Sequence, residues 1–398
     1  MKILRLIATM DPSVGGPCQG IRNAAGELNR MGVINEVVCL DDPTASFLGN
    51  DPFVIHALGR GVRPWCYHAE LLPWLVANLP RYDVLVVHGL WLYPSFAARI
   101  AHKRLQKRAE QQVGLTVPKL FIMPHGMLDP WFQQAPTRRL KAFRNELYWK
   151  LIEHKVVRDA DGLLFTTETE LQMARSPFWP YQPKREVNVG YGIQPPPPYT
   201  LAMQGAFRQC CPALGDEPYL LFLGRIHEKK GVDLLIKAYA SITSSPSYRT
   251  KLVIAGPGLE TAYGQTVQRL VAETPGLNKR IFFPGMLTGL AKWGGLYGCE
   301  AFVLPSHQEN FGIAVAEALA CGKPVLISDQ VNIWQEIKSN GGGLVDTNTL
   351  EGTQHLLQQW QGLLQTDRQI MAKRAHDIFM RYYSIELFVE RLINIISV

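Results

Sequence analysis

The sequence predicts an α/β protein made of two doubly wound domains. Three observations predict it. The chain has 398 residues, more than one domain usually holds. Short apolar runs alternate with longer amphipathic ones through both halves, which is the pattern of parallel strands joined by helices. Between the halves lies Gln194-Pro195-Pro196-Pro197-Pro198, which can continue neither helix nor sheet and reads as a stiff, extended hinge.

In the first half, KILRLIAT (2–9) is a strand, Gly20 to Met31 a helix ended by Gly32, and INEVVCL (34–40) a second strand. YDVLVVHG (82–89) and KLFIMPHG (119–126) are near-continuous apolar runs bounded by turns, as strands buried on both faces are. GLLFTT (162–167) and EVNVGYG (186–192) continue the series. After the prolines it restarts with YLLFLGR (219–225), KLVIAGPG (251–258), RIFFPG (280–285), AFVLPS (301–306), PVLIS (324–328) and GGLVD (342–346). The last segment, IELFVERLINIIS (385–397), has apolar residues at helical spacing and is long enough to pack back on the first domain. The expected domains are 1–193, 194–380, and a returning C-terminal helix at 381–398.

Composition excludes several classes. With 47% hydrophobic and 19% charged residues the chain is an ordinary globular protein and not a disordered one. Seven cysteines, with no CxxC or CxxH spacing, signal neither a disulfide frame nor a zinc site and fit a reducing cytoplasm. MKILRLIATMDPS has too short an apolar run for a secretory leader, and no run approaches the roughly 18 residues that span a bilayer. The net charge of +7 is uneven. Residues 1–200 hold 23 Lys and Arg against 17 Asp and Glu, the remainder 18 against 17. Two basic clusters stand out: Lys103, Arg104, Lys107 and Arg108, then Arg138, Arg139, Lys141, Arg144 and Lys150. The second lies among Leu140, Phe143, Leu147, Tyr148 and Trp149, and such a surface can meet anionic lipid or an anionic acceptor. Two solvated helix faces are the plainer alternative. No nucleic-acid-binding module accompanies the charge.

In open parallel sheets ligands bind beyond the carboxyl ends of strands, so chemistry is sought in the loops that follow the apolar runs. After the first strand, Gly15-Gly16 precede a helix, where backbone can approach an anion closely; a simple turn explains them equally. The loop is not GxGxxG and lacks the acidic ribose partner of a nicotinamide enzyme. Gly224-Arg225-Ile226-His227-Glu228-Lys229-Lys230-Gly231 follows YLLFL. Arg225 and Lys230 can converge there on one diphosphate, Arg as a planar fork and Lys as a mobile point charge. Gly256 and Met286 lie in loops that could set backbone against a nucleobase, or be ordinary turns.

The stretch HQENFGIAVAEALACGKPV (307–325) holds a helix from near Gly312 through Ala320, with Glu309 before it and Glu317 within it. A helix start suits a phosphate better than carboxylates. On an ideal helix these two acids stand roughly 80° and about 12 Å apart, which disfavours a shared metal. Asp159-Ala160-Asp161 spells the DxD of metal–nucleotide sites but precedes its strand, at the wrong end for ligands, and reads as structural.

Taken together, Glu309-Asn310-Phe311-Gly312-Ile313-Ala314-Val315-Ala316-Glu317, GlyArgIle…LysLysGly (224–231), Gly15-Gly16 and ProHisGlyMetLeu (124–128) resemble the nucleotide-sugar glycosyltransferases of family 4 over nearly the whole chain. The resemblance implies the GT-B fold: two Rossmann-like domains facing across a cleft, the first on the acceptor side and the second binding the nucleotide sugar. It implies a retaining transfer of a hexose from a nucleotide-diphosphate sugar, UDP favoured over GDP, to a glycan or lipid-linked acceptor in cell-surface polysaccharide or glycolipid assembly. No metal or other cofactor is implied.

By the same resemblance Arg225 and Lys230 neutralise the donor diphosphate, and Gly15 and Gly16 close on it. Gly256, Met286 and the amides of Asn310, Phe311, Gly312 and Ile313 contact the donor. Glu317 accepts from the ribose and Glu309 from the transferred sugar, and His125 stands near the reacting face. Such a protein is cytoplasmic, with peripheral contact at the inner face of the cell membrane. The alternatives are a nucleotide-sugar 2-epimerase on the same fold and a non-catalytic nucleotide-sugar-binding protein. Val14 stands where relatives often carry a phosphate-binding serine, and Asn-Val-Gly-Tyr-Gly-Ile (188–193) where many have Pro-Asn-Gly.

Overall fold

A computed structural model describes residues 1–134, 139–243 and 248–397. The chain divides into two compact units, Met1–Gly192 with Ile385–Val398, and Ile193–Ser384. The first holds a seven-stranded sheet: β1 (Lys2–Ile7), β2 (Ile34–Cys39), β3 (Ile55–Ala57), β4 (Val84–His88), β5 (Lys119–Met123), β6 (Gly162–Phe165) and β7 (Glu186–Asn188). Their order is β3-β2-β1-β4-β5-β6-β7, and every pairing is parallel. The second holds six: β8 (Tyr219–Leu223), β9 (Lys251–Ala255), β10 (Ile281–Gly285), β11 (Ala301–Leu304), β12 (Val325–Ser328) and β13 (Gly343–Asp346). These run parallel in the order β10-β9-β8-β11-β12-β13.

The strands form where apolar residues run unbroken because helices cover both faces of each sheet, so neither face tolerates alternation with polar residues. Val84 through Val87 are all buried, as are Ala301 through Leu304. The order in which strands are added reverses between β1 and β4 in the first unit and between β8 and β11 in the second. At such a switch the connecting helices leave to opposite faces and open a crevice at the carboxyl edge.

Several expectations are corrected. The first helix starts at Gly16 and runs to Arg30, four residues before the expected Gly20, because Pro17 is well placed in a first turn. The C-terminal helix is Ile385–Ser397, the segment read from its helical spacing, and the segment returning to the first unit starts at 385 and not at 381. Residues Phe379–Tyr383 form a π-helical turn of the second unit, with Phe379 and Tyr383 buried. Ile193 N–H donates to Tyr383 O at 2.9 Å, so the division falls at Gly192, one residue before the expected 193, and the prolines lie in the second unit as expected. There the Tyr297 hydroxyl donates to Pro197 O at 3.0 Å. The final helix buries Phe388, Val389, Leu392 and Ile396 in the first unit against Ala24, Leu28, Val86 and Phe121. Among the described residues no helix is long and apolar enough to cross a membrane.

A second π-helical turn, Trp149–Glu153, sits in the first unit. It turns Trp149 fully inward, where the indole stacks on Phe178 at 4.8 Å and donates to Pro180 O at 2.9 Å. The same turn buries Glu153. One carboxylate oxygen accepts from Trp91 N–H at 2.7 Å and from the Ser95 hydroxyl at 2.9 Å, while the other is buried without a partner among the described residues. Burial pushes the Glu153 pKa up from 4.5 to about 7, against the two hydrogen bonds.

An unfolded chain releases this proton near pH 4.5, whereas the folded chain keeps it to about pH 7. Folding stability from this group therefore falls as pH rises through that window and is level above it. Glu153→Gln removes the titration. Thermal midpoints of the wild type should fall relative to the variant between pH 5 and pH 7.5, and a pH-independent difference would refute the assignment.

Candidate functional site

Each unit places a cluster of polar groups at its switch point. In the second unit the chain leaves β8 at Leu223, passes Gly224 and Arg225, and turns into the helix Val232–Ile242 through Gly231. Gly231 has φ +63°, and a Cβ there would lie 2.2 Å from Pro305 O. Only glycine allows this approach, and it sets the loop after β8 against the loop after β11. The Lys229 carbonyl then accepts from the Ser306 hydroxyl at 2.8 Å and from His307 N–H at 2.8 Å. These contacts bring Lys230 to Glu309, 79 residues on, and the ammonium pairs with the carboxylate, both half-buried.

Glu309 is itself fixed through its backbone. Its N–H donates to Gln330 O at 2.9 Å, and its carbonyl accepts from Asn332 N–H at 3.0 Å. The helix that follows is Ile313–Ala320, capped by Gly312 in the left-handed region. Its first turn leaves the N–H groups of Ile313 and Ala314 without intrahelical acceptors. Asn310 precedes it, and Phe311 is buried edge-on against Tyr383, with ring centroids 5.4 Å apart. Burial first, then the charges of Lys229 and Arg225, lower the Lys230 pKa from 10.5 to about 7. The Glu309 carboxylate opposes that shift by favouring the ammonium. Arg225 is exposed and close enough for its charge to act on Lys230.

Glu317 lies inside the helix and pairs with Lys292 at 2.8 Å. Lys292 comes from the helix Gly289–Gly298, and its ammonium also sits over the Trp293 ring, 4.2 Å from the centroid. Nothing in the sequence pattern pointed to Lys292. Gly256 N–H donates to Gly285 O at 2.8 Å, so this backbone donor ties the ends of β9 and β10. A Cβ at Gly256 would meet Gly224 O at 1.9 Å. Met286 projects outward with its side chain exposed.

In the first unit β1 leads through the Asp11-capped turn Pro12–Val14 to Gly15, at φ +117°, and the helix from Gly16. His88 ends β4, and His125 follows β5 by two residues. The His125 backbone is in the left-handed region at φ +54°. It is held there because Gly126 N–H donates to buried Glu170, whose other oxygen accepts from Thr166 N–H at 2.8 Å and the Thr166 hydroxyl at 2.6 Å. His88 Nδ1 and His125 Nε2 are 2.8 Å apart, with the rings stacked at 17°. Arg5 Nη1 is 3.3 Å from His88 Nε2, and Arg5 Nε donates to Asn35 Oδ1 at 2.7 Å. Burial lowers all three pKa values. Arg5 falls to about 10, and His125 falls to about 3 with the Arg5 charge as second cause. His88 also falls well below its ordinary value, through burial, then His125 and Arg5. A largely apolar pocket of about 240 Å³ adjoins them, lined by Ile7, Val14, Gly15, Leu90 and Met127 as well as both histidines. Sequence reasoning named Gly15, Gly16 and His125 but missed Arg5 and His88; a charge inside an apolar strand was the available signal.

Asp159 and Asp161 do not face this site. Although burial opposes it, hydrogen bonds from Lys103, Arg158 and Arg99 hold the Asp159 carboxyl well below the usual range. Asp161 accepts from Leu120 N–H at 2.9 Å and pairs with Lys184 at 3.1 Å. Among the described residues no three His, Cys, Asp or Glu side chains gather as a set of metal ligands.

Residues 15–192 match the family described as Glycosyl transferase 4-like domain, and residues 207–368 the one described as Glycosyl transferases group 1. The chain belongs to these glycosyltransferases. It is 30% identical over 219 residues to a D-inositol 3-phosphate glycosyltransferase of Streptosporangium roseum, which is 53% of this chain and 48% of that one. The chain thus spans about half the length of the curated relative it matches. Among solved structures it is similar to Anabaena Alr3699/HepE in complex with UDP and glucose (TM-score 0.74, 16% identity, 100% of this chain and 99% of that one). It is also similar to a glycosyltransferase of Rickettsia africae (TM-score 0.76, 15% identity, 100% and 97%). The fold is GT-B.

The close approach at Gly231 yields a paired prediction. Gly231→Ala should lower stability by more than about 1 kcal/mol, because both its backbone angle and Pro305 O oppose a Cβ. Gly26, inside a helix with open space at its Cβ, should gain roughly 0.5–1 kcal/mol as Gly26→Ala. Denaturant titration of both variants checks this, and equal effects would refute it.

Proposed function

We propose that this glycosyltransferase moves a hexose from a UDP-sugar to a hydroxyl of a glycan or lipid-linked acceptor, with retention of anomeric configuration and without a metal ion. Cell-surface polysaccharide or glycolipid assembly, on the cytoplasmic side of the membrane, is the setting this reading implies. The observation that carries it is the junction of Lys230, Glu309 and the start of the helix Ile313–Ala320, with Arg225 beside it. Departure of a nucleoside diphosphate builds negative charge on the leaving oxygen and positive charge on the sugar. Fixed cations and amides aimed at the first lower the barrier electrostatically. Arg225, Lys230 and the free N–H groups of the helix start do this work in the proposal. Glu309 accepts from hydroxyls of the transferred sugar and Glu317 from those of the ribose, with Lys292 on its other side. Gly15, Gly16 and His125 serve the phosphates and the reacting sugar, and Gly256 and Met286 the base. The structures of the Anabaena protein with UDP and with UDP-glucose support UDP over GDP.

An acceptor carried on lipid requires contact with a membrane. The helix Arg139–Tyr148 and the turn after it expose Leu140, Phe143, Leu147 and Leu151, spaced by three, four and four residues, so they form one apolar stripe. Exposed Lys141, Arg144 and Lys150 accompany it. Arg138 lies outside the described residues. Trp149 and Tyr148, expected on this surface, turn inward instead: Trp149 is fully buried, and Tyr148 stacks on Trp65 at 4.9 Å. An apolar stripe among basic side chains fits the surface of an anionic bilayer.

Two measurements check these readings. Binding a diphosphate should raise the Lys230 pKa, so near pH 8 the complex takes up a proton and affinity for UDP falls as pH rises beyond about 7. Calorimetric enthalpies of UDP binding should therefore differ between buffers of unlike ionisation heat. The difference should vanish in Lys230→Arg, whose guanidinium does not titrate; equal enthalpies for the wild type would sink the assignment. For the membrane, the protein should co-sediment with vesicles containing phosphatidylglycerol. Phe143→Asp with Leu147→Asp should reduce the bound fraction at least about tenfold, as expected for two lost apolar anchors. Unchanged sedimentation would remove the stripe from the proposal.

A further inference from the structure

The protons along Arg5, His88 and His125 follow from what each group can offer. A guanidinium carries N–H on every nitrogen and has no acceptor. At 3.3 Å from Arg5 Nη1, His88 Nε2 must therefore be the bare, accepting nitrogen. A neutral imidazole with a bare Nε2 holds its proton on Nδ1. That proton faces His125 Nε2 at 2.8 Å, so His125 Nε2 accepts and its own proton sits on Nδ1. The opposite direction would set N–H against N–H at Arg5. The buried charge reinforces the pattern. Arg5 is 2% exposed, bonds to neutral Asn35, and has no carboxylate partner among the described residues. An imidazolium beside it would be a second uncompensated cation.

We infer that Arg5 and His88 are positioning residues that lock His125 as a neutral ring in the Nδ1–H tautomer. His125 Nε2 is taken by His88, which leaves Nδ1–H as the ring's one remaining polar group. His125 is then a hydrogen-bond donor to a ligand oxygen and not a general base, because it has no bare nitrogen left to accept a proton. The backbone restraint at Gly126 fixes where that donor stands. Its use in sugar transfer rests on the function proposed above, whereas the tautomer rests on Arg5 alone.

Long-range proton–nitrogen correlation spectra of the full-length protein, labelled with nitrogen-15 at its ten histidines, read the tautomer directly. His88→Asn and His125→Asn assign the signals. Both rings should be neutral and Nδ1-protonated from about pH 5.5 to 8, where an ordinary histidine titrates. An Nε2–H tautomer or a cationic ring for His125 at pH 6 would overturn the inference. Activity supplies the second arm. The Asn amide nitrogen can stand where His88 Nδ1 does, so His88→Asn should retain kcat to within about threefold. His88→Leu, lacking any donor, should lose about tenfold or more, with KM for the donor sugar little changed. Equal loss in both variants would reduce His88 to a packing role. The predicted tautomer in a protein that turns over no nucleotide sugar would overturn the proposed function and leave the proton assignment standing.

Discussion

A parallel sheet covered on both faces has no place in its strands for a group that must meet water or a ligand, and the chemistry of this protein is arranged around that constraint. His88 is the last residue of β4 and His125 the second after β5. Arg225 is the second after β8, and Glu309 the fifth after β11. All of these stand at the carboxyl edge, near the switch of their own sheet. Arg5 breaks the rule, in the middle of β1 and paired in register with Val37 and Val86. Burying an arginine costs free energy that Asn35 and His88 only partly offset, and burial lowers its pKa to about 10 without discharging it at neutral pH. A charge kept at such cost beside two active-edge histidines has its explanation in what it does to them.

Most of the fold was legible because the constraint acts on sequence directly. Unbroken apolar runs located twelve of the thirteen strands; nine of these readings continue into the first turn after the strand, and those of β10, β12 and β13 start one residue early. The thirteenth, β3, escaped because Ile55-His56-Ala57 is a half-buried edge strand with no run to see. The two π-helical turns were invisible for a different reason. Trp149–Glu153 and Phe379–Tyr383 keep helical composition and differ only in bonding, which the buried Trp149 and Phe379 dictate through packing. The prolines lie in the second unit, as the expected domain bounds had them, and the division falls one residue before the expected 193, where Ile193 N–H donates to Tyr383 O.

The site was legible as motifs and not as pairs. Arg225, Lys230, Glu309 and Glu317 are visible from residue type and spacing. That Lys230 meets Glu309 depends on strand order and on the missing Cβ at Gly231, neither of which spacing encodes. Lys292 and Glu317 are likewise joined by tertiary packing between two helices, and Arg5, His88 and His125 come from three separate strands or their ends.

The two clusters handle charge in opposite ways, and this answers why carboxylates flank a helix start suited to an anion. In the second unit each acid has its own lysine, so Arg225, Lys230 and Lys292 outnumber Glu309 and Glu317 by three to two. On the proposed function a phosphate arriving there meets paired carboxylates, and Lys230 can turn from one anion to the other. On the same proposal the acids accept from hydroxyl donors without repelling the phosphate. In the first unit the cation has no acid partner among the described residues, and burial, with the Arg5 charge added to it, keeps two imidazoles neutral where ordinary histidines would begin to charge. Paired charges make a site that can exchange partners. The unpaired charge makes one whose protons stay where they are.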